Sequence, residues 1–113
     1  MRSFRFVMLL SLAGCPPPPQ YYVADVISSA ARAPVEDALV AADCGRYEQA
    51  ARRTDDRGRA RLTLGGKVDP AHCTVTVAKP GYHSVETAVA ATCTDVTACP
   101  PTLIWVDASE GAP

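Results

Sequence analysis

The chain has 113 residues, with 11 Lys and Arg against 12 Asp and Glu and a formal net charge of −1. This length suffices for one domain with a modest core, but not for a deep cleft between two domains. A weakly acidic chain lacks the clustered basic face that nucleic-acid binding needs, so no nucleic-acid partner is expected. Ten Pro, seven Gly and only 6% aromatic residues favour short strands joined by turns.

The first fifteen residues have the pattern of an export signal. Arg2 and Arg5 give a positive start and precede a short apolar run over residues 6–12, which only Ser11 interrupts. That run is far shorter than the ~20 residues that a membrane-spanning helix needs, so a cleaved signal is the better interpretation. The Leu-Ala-Gly-Cys sequence at residues 12–15 then resembles the lipobox of bacterial lipoproteins.

The lipobox resemblance implies a lipid anchor at Cys15. Residues 1–14 are then a signal peptide that is cleaved just before Cys15, whose thiol carries a diacylglyceryl group with fatty acyl chains such as palmitate. The membrane becomes a partner through this anchor, which two or three acyl chains make effectively permanent. By analogy with sorting in that family, Pro16 in place of Asp favours the outer membrane, with the protein facing the periplasm or the cell surface. An ordinary signal peptide with an incidental Cys15 remains the alternative.

Residues 15–20 are predicted to be the lipidated cysteine and a proline-rich tether. The four consecutive prolines at 16–19 favour an extended polyproline II segment. At about 3.1 Å per residue, this segment would hold the domain about 12 Å from the lipid surface. We interpret it as a spacer rather than as a ligand for a proline-recognition domain.

The body of the chain alternates apolar and polar residues along short stretches separated by Gly, Pro or Asp. This pattern predicts seven strands, at residues 21–28, 38–44, 47–54, 59–64, 73–79, 82–90 and 102–106. Seven short strands at this spacing predict an all-β fold, an antiparallel seven-stranded sandwich. Residues 88–91 leave open a helical turn as an alternative.

Two turn signals separate these strands. The Asp-Asp-Arg-Gly sequence that runs from Asp55 to Gly58 is typical of a tight turn, because an Asp side chain caps it and Gly accepts a positive φ. A second turn at Gly81 precedes Tyr82, whose ring we expect to pack over the edge of the sandwich rather than to bind a ligand.

The order of these features follows a known family pattern. Four features, in this order along the chain, resemble the carboxypeptidase regulatory-like domain. They are an apolar stretch at 35–40, the sequence Thr-Asp-x-x-Gly-x-x-x-Leu at 54–62, an alternating stretch at 73–77 and Gly-Tyr at 81–82. This resemblance implies a transthyretin-like (prealbumin-type) β-sandwich that is mostly non-catalytic. We place the domain at residues 21–107 and a disordered tail at 108–113.

Four cysteines remain besides Cys15, and an even number in an exported domain suggests disulfides. Three pairings are possible. We favour Cys44–Cys73, which end and begin predicted strands, and Cys93–Cys99, which bracket a short loop. Zinc is the rival interpretation, because His72 adjoins Cys73, but the spacings do not match the usual ligand pairs. No cofactor or metal is expected.

The sequence contains few candidates for catalytic residues. His72 and His83 are the only histidines, and Ser84 beside His83 would point to the opposite face of a strand. We therefore expect no catalytic residues and no enzymatic activity.

Five arginines cluster around the predicted turn at 55–58, namely Arg52, Arg53, Arg57, Arg59 and Arg61. Asp55 and Asp56 lie between them, so we expect a solvated edge in which opposite charges compensate each other. A basic patch for an anionic surface glycan or a partner protein is the alternative.

These observations predict a membrane-anchored lipoprotein with a non-catalytic binding or structural module in the cell envelope, with a protein or glycan as partner. Two alternatives remain open. One is a small envelope hydrolase or metal-binding protein of transthyretin-like fold. The other is an accessory subunit of an envelope or secretion complex.

Overall fold

The computed structural model describes residues 17–45 and 49–109. These residues form seven strands and no α-helix. The strands are β1 (Gln20–Ser28), β2 (Leu39–Asp43), β3 (Gln49–Arg53), β4 (Arg59–Leu64), β5 (Thr74–Ala78), β6 (Val85–Ala88) and β7 (Thr102–Val106). Two 3₁₀ turns lie at Pro70–His72 and Val96–Ala98. In the described part of the chain, no helix has the length and apolar character required to cross a bilayer.

The strands form two sheets. One has three strands in the order β4-β1-β7, and the other has four in the order β3-β2-β5-β6. A single cluster of buried side chains forms the core, and its largest members are Tyr22, Leu62 and Leu64. Burying a large apolar side chain contributes about 1.5–3 kcal/mol, so each of these residues adds substantially to the hydrophobic stabilisation. The all-β prediction is confirmed.

The alternation along β4 is confirmed residue by residue. Ala60, Leu62 and Leu64 are buried, and the polar residues between them are exposed. Successive side chains of a strand point to opposite faces, so the sequence pattern fixes which face of β4 covers the core. The antiparallel register with β1 then places Arg59 opposite Asp25.

The prediction of a wholly antiparallel sandwich is wrong at one pairing. β7 runs parallel to β1, with Ile104 beside Val26. The reason is the point at which the chain enters this sheet. Cys93 and Tyr21 exchange two backbone hydrogen bonds of 2.7 and 3.0 Å at the start of β1. The connection therefore arrives at the end where β1 begins, and β7 continues in the same direction as β1.

Each predicted stretch contains one observed strand, although β6 is shorter than the predicted 82–90. Regular pairing with β5 is confined to Val85–Ala88, and the helical turn considered for 88–91 does not form. Beyond β6, the N–H of Val89 donates to the carbonyl of Cys73 at 3.4 Å.

The domain extends beyond the boundary predicted at residue 107. Ala108 forms an isolated bridge with Tyr82, and the N–H of Ser109 donates to the carbonyl of Gly81 at 2.9 Å. Residues 108 and 109 thus lie with the domain rather than in a disordered tail, because the turn at Gly81 offers them backbone partners. The remainder of the predicted tail, 110–113, lies outside the described residues.

Two cysteine pairs lie at disulfide distance, and they are the expected pairs. The Cα atoms of Cys44 and Cys73 are 4.0 Å apart, and those of Cys93 and Cys99 are 5.5 Å apart. Both pairs lie at the end of the sandwich where β1 begins, which we call the cystine end. Cys73 is part of the buried core there.

The predicted tether reaches the domain at the same end. The side chain of Gln20 donates to the carbonyls of Gly65 (3.1 Å) and Val68 (2.8 Å). A side chain at Gly66 would clash with the Pro18 carbonyl, and its Cβ would lie 2.8 Å from the Pro17 carbonyl oxygen. Pro17 and Pro18 therefore lie against the turn that follows β4. Cys15 itself lies outside the described residues.

The two bridges differ in the length of chain that they close, with sequence separations of 29 and 6. In the chain-entropy account, a longer loop gives more stabilisation. Replacing both Cys44 and Cys73 by Ala is expected to lower the free energy of unfolding by about 3–4 kcal/mol, and the same change at Cys93 and Cys99 by about 2 kcal/mol. Urea unfolding without reductant measures both losses. An equal or reversed order would contradict this assignment.

Candidate binding groove

The turn between β3 and β4 forms as its sequence predicts. The Asp55 carboxylate accepts hydrogen bonds from the backbone N–H groups of Arg57 (2.9 Å) and Arg59 (3.0 Å). Gly58 has a φ of +78°, which glycine adopts without strain. The two backbone donors hold the pKa of Asp55 below its ordinary value, because they stabilise the ionised carboxylate.

Gly58 has a second role that the turn pattern does not reveal. It is buried, and a Cβ at this position would lie 2.6 Å from the Val26 carbonyl oxygen and 2.9 Å from the Pro34 Cβ. Its own carbonyl accepts a 2.8 Å hydrogen bond from the Val26 N–H. The turn therefore packs directly against the backbone of β1 in the three-stranded sheet, and the space at residue 58 admits only glycine.

Thr54 fixes the other end of the segment that joins the two sheets, residues 54–58, which we call the crossing. Its side chain is buried, and its Oγ1 accepts from the Ala38 N–H at 2.9 Å and donates to the Val35 carbonyl at 2.7 Å. The backbone N–H of Thr54 also donates to the Ala38 carbonyl at 2.8 Å. Residues 54–58 thus carry the chain from the four-stranded sheet to the three-stranded sheet between two fixed points.

A groove of about 430 Å³ lies along this crossing, where the edge strands β3 and β4 of the two sheets face each other. We call it the arginine groove. Its lining consists of Tyr21, Arg52, Arg53, Asp55, Arg59, Ala60, Arg61, Thr63 and Val96. Four of the five clustered arginines are therefore brought to one concave surface, and Asp55 is the one acidic residue of the lining.

Two of the groove arginines have carboxylate partners. The Arg59 guanidinium makes a bidentate ion pair with the Asp25 carboxylate, with Nε–Oδ1 and Nη2–Oδ2 distances of 2.7 and 2.9 Å. This pairing raises the pKa of Arg59. Arg53 lies 3.7 Å from Asp37, with both side chains more than 60% exposed, so this contact contributes little.

The expected compensation by Asp55 and Asp56 holds only in part: the charges of Arg57 and Arg59 help to lower the pKa of Asp55, but neither acid forms an ion pair with the clustered arginines in the described residues. The Asp55 carboxylate is turned to backbone donors, and Asp56 forms no ion pair within residues 17–45 and 49–109. In those same residues, Arg52 and Arg61 have no carboxylate within 4.0 Å. Sequence adjacency misled here, because the carboxylates of a tight turn cap its own backbone.

The other two signature residues, Gly81 and Tyr82, lie in the turn before β6. Gly81 has a φ of +89°, and the half-buried Tyr82 packs against the core. The Tyr82 N–H donates to the Lys79 carbonyl at 3.0 Å. The expected packing role of Tyr82 agrees with this position.

The two histidines lie far apart in the fold. His72 belongs to a 3₁₀ turn at the cystine end, where its Nδ1 is 3.9 Å from Asp69 and both side chains are exposed. His83 follows the turn at the opposite end. The part of the chain that the structure describes holds no group of three or more His, Cys, Asp or Glu side chains that could bind a metal ion.

Sequence reasoning missed five participants in the groove. Four of them line it, namely Tyr21, Ala60, Thr63 and Val96, and Asp25 orients one of its arginines. The signal that could have found Asp25 is the outward face of β1, since odd-numbered residues there oppose the polar residues of β4. Locating Val96 would have required the path of the long connection between β6 and β7.

Comparison with known proteins gives no match: no family model, no curated protein and no solved structure is similar to this chain.

The lowered pKa of Asp55 predicts a pH-dependent contribution to stability. The carboxylate stabilises the fold above the ordinary aspartate pKa of about 4, and this contribution is lost as pH falls through the lower folded pKa. Asp55→Ala is therefore expected to lower the melting temperature at pH 7, with the difference from wild type shrinking below about pH 4. Asp56→Ala, in the same turn, is the matched control and should change little at either pH. A difference that persists undiminished at pH 2 would refute the role of the ionised carboxylate.

Proposed function

We propose that the protein is a membrane-anchored lipoprotein of the cell envelope, whose β-sandwich is a non-catalytic binding module. The observation that carries this proposal is the Leu-Ala-Gly-Cys sequence at residues 12–15, after a short apolar run and directly before a proline segment that leads into β1. Fatty acylation of Cys15 and cleavage after Gly14 would leave the folded domain joined to lipid by five residues or fewer.

The position of the tether supports an anchor with a defined orientation. Besides its bonds to the turn after β4, Gln20 accepts a 2.7 Å hydrogen bond from the Thr92 hydroxyl through its Oε1. The beginning of β1 is thus fixed to two separate loops. A lipid at Cys15 would place the cystine end next to the bilayer and the 55–58 turn away from it.

We further propose that the sandwich is of the transthyretin-like type found in carboxypeptidase regulatory-like domains. The support is that the Thr-Asp-x-x-Gly-x-x-x-Leu residues each have a structural task. Thr54 and Asp55 fix the crossing, Gly58 seats it on β1, and Leu62 is buried in the core. Domains of that type are mostly non-catalytic, in keeping with a binding role.

One observation favours a second candidate, an accessory subunit of an envelope complex. β7 is an edge strand, and its outward side chains Leu103 and Trp105 are 55% and 47% exposed. Exposed large apolar side chains on a sheet edge are typical of surfaces that meet another protein. Co-purification of a stoichiometric partner from solubilised membranes, lost in Trp105→Ser, would favour this candidate.

The anchor is tested by labelling cells with radioactive palmitate while they express the full chain. Wild-type protein is expected to incorporate label, to lack residues 1–14 and to fractionate with membranes. Cys15→Ser should lose the label and the membrane retention, because the acylated thiol is gone. Pro19→Ala, a change in the tether outside the lipobox, should behave as wild type.

Mass spectrometry of the same fractions identifies the modified residue. An unmodified Cys15 in a chain that retains Met1 would refute the anchor, as would unchanged membrane retention of Cys15→Ser.

A further inference from the structure

We propose that the arginine groove binds an anionic saccharide, a sugar that carries a phosphate or carboxylate group. The inference deepens the proposed binding role and rests on it for one step, the orientation relative to the membrane. The remaining steps rest on the groove alone. At about 430 Å³ the groove falls within the size range of small-ligand sites.

The charged half of the groove, formed by Arg52, Arg59 and Arg61, has the donors that an oxyanion requires. Arg52 and Arg61 face it without a carboxylate partner in the described residues, and each can offer a planar pair of donors to a phosphate or carboxylate. Arg59 adds N–H donors at a fixed position, since Asp25 on the neighbouring strand binds its Nε and Nη2 atoms and not its Nη1. The ligand anion would thus meet the cations of Arg52 and Arg61 and a pre-positioned donor group of Arg59.

The single acid of the lining does not cancel this charge. Both backbone hydrogen bonds of Asp55 are accepted by the same oxygen, Oδ1, and they orient the carboxylate toward the turn. With Asp25 paired to Arg59 and Asp37 beside Arg53, the groove keeps the positive charge of Arg52 and Arg61, although the whole chain has a net charge of −1. A concave basic surface on a weakly acidic protein concentrates anions locally.

The other half of the groove suits a sugar ring. Tyr21 and Thr63 are directly opposed on neighbouring strands, and Val96 completes this half. An aromatic ring offers an apolar face to the C–H groups of a pyranose, and a threonine hydroxyl can donate to or accept from its hydroxyl groups. Tyr21 is held between β4 and Cys93, so the ring is carried by a rigid backbone.

The position of the arginines argues against a lipid headgroup of the anchoring bilayer. Gln20 pairs with Leu64 and Asp25 pairs with Arg59, so Arg59 lies five residues further along the sheet than the tether. At about 3.3 Å per residue, Arg59 lies roughly 16 Å beyond the point where the tether meets the domain, and Arg61, which pairs with Val23, lies roughly 10 Å beyond it. With the lipid at Cys15, the charged half of the groove faces away from the membrane.

The test is a binding titration of the full chain, expressed from the complete sequence and purified in detergent from whichever fraction contains it. The probes are glucose 6-phosphate, glucuronate, glucose, inorganic phosphate and vesicles that contain phosphatidylglycerol. We expect saturable binding of glucose 6-phosphate or glucuronate. Inorganic phosphate should bind at least threefold more weakly than the better of the two sugars, because it leaves the Tyr21 half empty. Glucose should not bind, and vesicle binding through the acyl chains at Cys15 should be the same for wild type and for Arg52→Gln with Arg61→Gln.

Two double variants with the same change in net charge distinguish binding in the arginine groove from nonspecific electrostatic attraction to the protein. Arg52→Gln with Arg61→Gln should weaken binding at least tenfold. Arg57→Gln with Lys67→Gln, both exposed and outside the lining, should leave it within twofold. Tyr21→Leu should weaken binding of the sugar anion but not of inorganic phosphate. Thermal melts of all variants establish that each is folded.

Three outcomes would overturn the inference. These are no saturable binding of either sugar anion, equal losses in the two double variants, or binding of inorganic phosphate as tight as that of the sugars. Vesicle binding that is lost in Arg52→Gln with Arg61→Gln would assign the groove to a lipid headgroup instead. The mass of Cys15 in the same preparation reports the anchor separately, so acylated protein without ligand binding would refute the groove alone.

Discussion

The fold depends on the crossing between its two sheets at residues 54–58. β3 is the edge of one sheet and β4 is the edge of the other, so the chain leaves one layer and joins the second within five residues. The buried hydroxyl of Thr54 attaches the crossing to the four-stranded sheet. It hydrogen-bonds to Val35 and Ala38, the two ends of the segment that precedes β2. Gly58 then seats the chain on β1, where no side chain would fit.

The crossing also shapes the arginine groove. Because Thr54 and Gly58 fix the ends of the turn, Arg52 on β3 and Arg59 and Arg61 on β4 are held around the same space. The ion pair between Arg59 and Asp25 depends on the register of β4 against β1, which the turn also sets. The segment that joins the two sheets therefore also positions the arginines of the candidate binding surface.

The two ends of the sandwich have different tasks. The cystine end holds both cysteine pairs and the start of β1, so the part of the molecule nearest the predicted anchor is cross-linked. The opposite end has the turns at Asp55 and Gly81, which are closed by hydrogen bonds alone. This division agrees with a small, aromatic-poor core, in which two bridges are a large share of the total stability.

Local features of this chain could be predicted from its sequence, and long-range features could not. The alternation of β4, the turn at Asp55 and the cysteine pairs at strand ends follow from residues that are close in sequence or from simple spacing. The parallel pairing of β7 depends on where a connection of 13 residues arrives, and no local pattern encodes that.

The same distinction applies to the site. The arginine cluster was visible in the sequence, but its true partner Asp25 lies 34 residues away on another strand. Asp55 and Asp56 were the nearest acids in sequence, but in the described residues they form no ion pair with these arginines, and Asp55 caps its own turn. The exposure of Trp105 was equally hidden, because a five-residue apolar strand does not reveal which of its faces is covered.

The most direct test of the account is the stability of Thr54→Val, which keeps the shape of the side chain and removes its hydroxyl. The Ala38 N–H and the Val35 carbonyl would lose a buried partner, so the free energy of unfolding should fall by about 2–4 kcal/mol. Thr63→Val, on the exposed face of β4, should change it by less than about 0.5 kcal/mol. A Thr54→Val protein as stable as Thr63→Val in urea unfolding would contradict the claim that this crossing holds the two sheets together.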